Sequence, residues 1–219
     1  MNTLITTEDG SHSLQSSRFD VTYHSIHGAI QETQTVFIDA ALNYKAETQQ
    51  ELSILGIGFG TGLNAFMTYL EAVQRGLTIN YIGVEAYPID METAKQLNHP
   101  ALLQVPHLEQ DFLALHQSQD TTIQIAPEFS FCKHINRFEA LDYDHQFDII
   151  YYDAFAPNAQ PELWEADILS KMYQALKPTG VLTTYCAKGV FKRCLKSVGF
   201  IIEALPGPIG KREMTRAVK

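Results

Sequence analysis

Residues 52–64 read LSILGIGFGTGLN, and this stretch decides the fold. The apolar run at 52–55 reads as a short buried strand. Glycines follow at 56, 58, 60 and 62, and from Leu63 apolar residues recur at 63, 66, 67, 70 and 73, the period of a helix. Glycine lets a backbone turn sharply and approach a ligand with no Cβ in the way. The helix start behind such a turn favours an anionic group, a carboxylate included. A tight strand-to-helix turn with no ligand is the plainer reading of the same residues.

The pattern continues outward from this unit. Strands are expected at 79–84, 147–152 (FDIIYY), 181–185, 200–205 and 213–218, and helices at 63–75, 90–97, 162–176 and 190–198. Lys177-Pro178 and Gly180 stop the third of these helices, and Gly199 ends the fourth. Residues 99–146 have the weakest periodicity, with short strands at 123–125 and 129–132 around Pro127. Alternation of this kind implies an α/β, Rossmann-like fold, a mostly parallel central sheet with helices on both faces. Ligands in such sheets bind at the carboxyl ends of the strands. Ahead of it, 19–23 and 33–38 (TQTVFI) read as paired strands, giving a small N-terminal β extension over 1–45 and a main domain over 46–219.

Composition narrows the classes. Hydrophobic residues make up 45% and charged residues 19% of the 219, a globular profile. No apolar run reaches the roughly 18 residues of a membrane span, and MNTLITTEDG lacks the basic and apolar regions of a signal peptide, so a cytoplasmic protein with no membrane partner is expected. Cys132, Cys186 and Cys194 form no CxxC pair and read as reduced thiols, with no metal site. The net charge is −9, but residues 188–219 carry eight Lys/Arg against two acids, leaving −15 on the first 187. A basic end on an acidic body either steers a polyanion to one face or is simply a solvated surface.

Three further motifs fall at expected strand ends. The dinucleotide fingerprint would continue Gly58-x-Gly60 with glycine at 63, where Leu63 stands. The Gly58-x-Gly60-x-Gly62 spacing suits S-adenosyl-L-methionine better than a nicotinamide cofactor. Glu85 closes the second strand, where an acid accepts hydrogen bonds from ribose hydroxyls; its alternative is a surface acid. Asp153-Ala154-Phe155-Ala156-Pro157 follows FDIIYY and places a carboxylate beside the cofactor's reactive end, unless Asp153 is only a structural aspartate. Gly207-Pro208-Ile209-Gly210-Lys211-Arg212-Glu213-Met214 reads either as a turn before an edge strand or as a rigid loop presenting two cations.

Four segments together, ILGIGFGTGLN (54–64), DAFAPNAQPELW (153–164), GVLTTYCAKGVFKRCLKSVGF (180–200) and GPIGKREM (207–214), resemble the MnmC-like methyltransferase domain. That domain completes the 5-methylaminomethyl-2-thiouridine modification at the tRNA wobble position. The lead-in QETQTVFIDAAL (31–42) is also similar, and the likeness runs from about residue 18 to residue 216. The resemblance implies a class I S-adenosyl-L-methionine-dependent methyltransferase acting on the primary amine of 5-aminomethyl-(2-thio)uridine in the tRNA anticodon loop. Gly58, Gly60 and Gly62 would hold the methionine part of the cofactor, Glu85 the ribose, and Asp153 would be the catalytic carboxylate. Phe155, Pro157, Lys211 and Arg212 would meet the substrate. Tyr185 and Trp164 are further stacking candidates, although Trp164 on its helix reads more readily as core, and Lys188, Lys192 and Arg193 are further phosphate contacts. With no second nucleotide loop before Lys219, the expectation is a stand-alone transferase whose amine is prepared by a separate FAD-dependent oxidase. Two departures stand out: Gly56 occupies a position where the family often has an acid, and the family's acid near the adenine is replaced around Lys133-His134-Ile135-Asn136. The competing readings are a methyl- or aminopropyltransferase of a small amine and a non-catalytic RNA- or adenosylmethionine-binding module.

Overall fold

A computed structural model describes residues 2–219. The chain opens with an antiparallel hairpin, β1 (Thr3–Thr6) and β2 (His12–Gln15). A helical segment α1 follows, α-helical over Ala29–Thr33, wider over Gln34–Asn43 and closing over Tyr44–Ala46. Then come β3 (Glu51–Ile57), α2 (Leu63–Arg75), β4 (Thr78–Glu85), α3 (Glu109–Gln117), β5 (Ile123–Ala126), β6 (Phe129–Ile135) and β7 (Phe147–Tyr152). The chain ends with α4 (Ala166–Ala175), β8 (Leu176–Thr184), α5 (Gly189–Ser197), β9 (Ile201–Pro206) and β10 (Glu213–Val218).

Eight strands form one sheet in the order β5-β6-β4-β3-β7-β8-β10-β9. The five strands from β6 to β8 run parallel, and β10 is antiparallel to both neighbours. The expected Rossmann-like α/β architecture is thus present. The chain leaves β3 toward β4 and β6 on one side, then crosses to β7 on the other, so the strand order reverses beside the glycine turn. Crevices form at such a switch point. The reversed β10 has a second consequence: it begins at the carboxyl edge of the parallel strands, so residues 207–212 lie on the same edge as the glycine turn.

The core explains these elements. Every residue of β7 is buried, as a strand covered on both faces requires. Phe37, Phe66, Tyr81, Phe129, Phe131 and Tyr151 fill one side of the sheet, and Leu163, Trp164, Leu169, Met172, Phe191 and Leu195 fill the other. Helix α2 is bracketed by left-handed glycines, Gly62 (φ 77°) before it and Gly76 (φ 65°) after it, a conformation that costs most other residues about 1 kcal/mol or more.

Two readings need correction. The 33–38 segment is helical, and 19–23 forms no named strand; beyond β1 and β2, the N-terminal region has one isolated antiparallel bridge, Gln15 with Thr22. Thr33, Thr35, Val36 and Ile38 favour a strand by propensity, yet Val36, Phe37, Ile38, Ala40, Ala41 and Leu42 are all buried. A helix buried on most sides loses the polar stripe that reveals its period, and packing overrides propensity. Helix α3, in the weakly periodic stretch, was not among the expected helices. The 162–176 helix divides into a 3₁₀ turn at Pro161–Trp164 and α4, and β8 begins at Leu176. The Phe37 ring packs tilted against Tyr151, with ring centres 5.0 Å apart. Phe37→Ala should cost about 3–5 kcal/mol of unfolding free energy, measured by urea denaturation; a cost under about 1 kcal/mol would contradict a buried helix here.

Candidate active site

The site is built on three strand ends. Beyond β3 the backbone turns with positive φ at Gly58 (86°), Gly60 (54°) and Gly62 (77°). A Cβ on Gly58 would lie 2.6 Å from the Asp153 carbonyl oxygen, and one on Gly60 would press on the Tyr23 ring at 3.1 Å. The turn therefore packs backbone to backbone against the end of β7. Glu85, at the end of β4, accepts from the Gly60 N–H (Oε2, 2.9 Å) and the Tyr87 N–H (Oε1, 2.8 Å). Burial still pushes its carboxyl above the ordinary value.

A cavity opens where these ends meet. Gly58, Gly60, Glu85, Asp153 and Phe155 all line it. Gly62 does not: a Cβ there would sit 2.9 Å from His116 Nε2 and from the Phe59 ring, so this glycine serves the turn into α2. Phe155 forms an aromatic wall with Phe19 and Tyr23, each 5.0 Å away. Arg18 lies over the Tyr87 ring at 4.0 Å. The wall residues from the lead-in, and Arg137, Phe138 and Glu139 after β6, were absent from the residues singled out in the sequence. They sit in loops, where no periodicity marks them.

Asp153 has one carboxylate oxygen occupied: Asn64 Nδ2 donates to Oδ2 at 2.8 Å. Burial raises its pKa to about 7, Glu32 adds to the rise, and the Asn64 hydrogen bond and Lys211 oppose it. Gly56 now has a physical account. A Cβ there would lie 2.4 Å from the Tyr81 hydroxyl, so Tyr81 fills the space a side chain at 56 would need. Lys133 is not at the cavity; it is buried, hydrogen-bonded to the His116 carbonyl and 4.9 Å from the Phe59 ring centre.

Residues 156–157 line a broader depression of about 1000 Å³, with Tyr185, Lys188, Lys211 and Arg212. Residues 153–157 therefore run from the wall of the first cavity to the wall of the second. The Tyr185 hydroxyl (to Ala154 O, 2.9 Å) and Trp164 Nε1 (to Phe155 O, 2.8 Å) pin this loop. Trp164 is buried among Tyr152, Tyr185 and Phe191, a core residue rather than a stacking platform.

The basic end separates into two sets. Lys211 pairs with Glu32 (2.6 Å), Lys192 with Glu213 (2.9 Å) and Arg216 with Glu203 (2.6 Å). Lys188, Arg193, Lys196 and Arg212 are exposed and pair with no acid among the described residues.

A family model described as S-adenosyl-L-methionine-dependent methyltransferase matches residues 92–219. The chain belongs to this family. The methyltransferase is 30% identical over 215 residues to the tRNA 5-methylaminomethyl-2-thiouridine biosynthesis bifunctional protein MnmC of Leptospira borgpetersenii, covering 91% of this chain and 32% of that one. It is 29% identical over 225 residues to the protein of the same name from Marinomonas sp., covering 95% and 32%. The chain thus spans 32% of the length of the curated relatives it matches. Its fold superposes on the crystal structure of MNMC2 from Aquifex aeolicus with a TM-score of 0.78 at 23% identity, covering 99% of this chain and 69% of that one. Spermidine synthase from Thermotoga maritima shares the fold more loosely, with a TM-score of 0.59 at 16% identity and coverages of 99% and 72%. The MnmC-like resemblance and the cofactor class expected from the sequence both stand. Among the described residues no helix is long and apolar enough to cross a membrane.

The residues present suit adenosylmethionine. The Gly58–Gly60 cradle is one a Cβ would fill, and Glu85 retains acceptor capacity facing the cavity. Holding Asp153 in this setting has a cost. An unfolded carboxyl titrates near 3.9, so the folded state is penalised for ionising it, from nothing below about pH 4 to the full amount above about pH 7. Asp153→Asn should therefore raise the melting temperature, by an increment that grows between pH 5 and pH 8. An increment independent of pH would show that the carboxyl is not strained.

Proposed function

We propose that this chain transfers the methyl group of S-adenosyl-L-methionine to the primary amine of 5-aminomethyl-(2-thio)uridine at the tRNA wobble position. It would do so in the cytoplasm, after a separate FAD-dependent oxidase has freed that amine. The observation that carries the reading is the place of Asp153: its carboxylate lines the cavity of Gly58, Gly60 and Glu85, on a loop that continues into the depression rimmed by Lys188 and Arg212. The names of the MnmC relatives, matched over 91% of this chain, support the substrate class.

The cofactor supplies an electrophilic methyl group. Gly58 and Gly60 would hold its methionine end and Glu85 its ribose. Asp153 orients the incoming amine and takes its proton, directly or through water. An alkylammonium with a pKa near 10.4 costs up to about 4.6 kcal/mol to deprotonate at pH 7. Alignment of the reacting atoms contributes about 7–11 kcal/mol. Positioning therefore outweighs proton transfer. A carboxyl held near pH 7 is half-ionised at working pH, where a general base is most effective. Phe155 and Pro157 form the passage by which a splayed-out base reaches Asp153, since RNA loops present unstacked bases to aromatic walls.

The phosphate contacts fall to Lys188, Arg193 and Arg212, exposed and unpaired. Lys211 and Lys192 already neutralise Glu32 and Glu213 and are removed from that role.

The test is incubation with isotope-labelled adenosylmethionine and tRNA lacking the final methyl, followed by nucleoside mass spectrometry. Label should appear in 5-methylaminomethyl-(2-thio)uridine; label found only in free polyamines would replace the reading with small-amine transfer. Asp153→Asn should lose about 10²–10⁴-fold in turnover while binding adenosylmethionine within a few-fold of the parent. Its loss should also remove an acid limb near pH 7 from kcat/KM; a limb near pH 4 in the parent enzyme would take the base role from Asp153. For RNA binding, replacing Lys188, Arg193 and Arg212 together by alanine should lower the slope of log affinity against log salt by roughly two. An unchanged slope would move the RNA surface elsewhere.

A further inference from the structure

Asn64 follows the glycine turn directly, on the first turn of α2, and its side chain is buried. Its two amide atoms are both committed. Nδ2 donates to Asp153 Oδ2 at 2.8 Å, and Oδ1 accepts from the Thr33 hydroxyl, also at 2.8 Å. The carboxylate, which only accepts, draws the Nδ2 end of the amide to Asp153, and the Thr33 hydroxyl holds the oxygen end and with it the amide plane. A flipped amide would present its carbonyl oxygen to the carboxylate, a repulsive contact. With the amide fixed, Oδ2 is held and Oδ1 accepts no hydrogen bond from the described residues, although Asp153 lines the cavity.

Thr33 is itself anchored. Its neighbour Glu32, also buried, accepts from the Ser25 N–H (2.8 Å) and from Lys211 Nζ (2.6 Å). Lys211 stands over the Tyr185 ring at 4.0 Å, and the Tyr185 hydroxyl holds Ala154, the residue after Asp153. The contacts close into a loop from Asp153 through Asn64, α1, Lys211 and Tyr185 back to Ala154. Five separate segments of chain meet in it, and none of the intermediate members needs to touch a substrate.

We propose that Asn64, fixed by Thr33, is a positioning residue that selects Asp153 Oδ1 as the oxygen presented to the substrate amine. The proposal rests on the assignment of Asp153 as the base. Besides Asn64, the charged and titratable groups facing Asp153 are Glu32 from α1, Lys211 from the 207–212 loop, Tyr81 from β4 and Tyr185 at the end of β8. All of them remain when Asn64 is changed. The Asn64 hydrogen bond favours the ionised carboxyl, so its loss moves the Asp153 titration to higher pH.

The experiment compares Asn64→Ala, Thr33→Val and Thr33→Ser with the parent and with Asp153→Asn, using tRNA that bears the free amine. Readouts are kcat, KM for tRNA, the dissociation constant of adenosylmethionine and the pH profile. Asn64→Ala should lower kcat by about 10–100-fold, the scale of a displaced catalytic group, and shift the acid limb upward. Adenosylmethionine affinity should stay within a few-fold. Thr33→Val, close in size but without the hydroxyl, should show the same change in weaker form, and Thr33→Ser should restore parental values. Loss of kcat together with cofactor affinity, at an unmoved acid limb, would make Asn64 merely structural and overturn the proposal; so would a Thr33→Val enzyme identical to the parent. Full activity in Asp153→Asn would instead remove the base assignment itself.

Discussion

The site depends on the contact between the glycine turn and the end of β7. At Gly58 the backbone comes so near the Asp153 carbonyl that no side chain fits, and the dihedral at Gly58 disfavours any residue that has one. This approach puts the cradle and the carboxylate on one cavity wall. The parallel sheet makes it available, because β3 and β7 are hydrogen-bonded neighbours whose carboxyl ends finish level, Ile57 opposite Tyr152. The antiparallel β10 then returns the 207–212 loop to that same edge.

Electrostatics around Asp153 follow from this enclosure. Two poorly solvated carboxylates, half-buried Asp153 and buried Glu32, influence one another in the same region, and a single cation, Lys211, pairs directly with Glu32. Such an arrangement is poor for stability: an unpaired carboxylate in a poorly solvated setting is disfavoured, and its proton affinity rises. Strain of this kind persists where function requires it. A carboxyl with its affinity raised toward neutrality can accept a proton from an amine, which an ordinary surface aspartate does poorly. Lys211, read from the sequence as a substrate cation, is better understood as the counter-ion that makes the pair of acids tolerable.

Most of the sheet was legible in the sequence because its signals are local. Glycines between an apolar strand and a periodic helix, the unbroken FDIIYY run and the Gly199 stop each depend on a few adjacent residues. Gly58, Gly60, Glu85, Asp153 and Phe155, which line one cavity, were legible for the same reason, as residues near strand ends in recognisable motifs. What the sequence hid depends on tertiary context. Helix α1 reads as a strand because burial removed its polar face. The Tyr81 hydroxyl in the space beside Gly56, the Asn64 bridge to Asp153 and the division of the basic end into paired and free cations all join residues far apart in the chain. Gly62 shows the converse: a motif position whose spacing suggested ligand contact lies off the cavity wall, at the turn into α2.

The central claim is that one cavity brings a sulfonium methyl, held on the Gly58–Gly60 turn, to the Asp153 carboxylate. A crystal structure of the protein with S-adenosylhomocysteine tests it most directly. The account predicts the ribose hydroxyls on Glu85, the amino-acid end against the glycine turn and the sulfur facing Asp153 within the same cavity. A ligand bound elsewhere, or bound there with its sulfur directed away from Asp153, would contradict it.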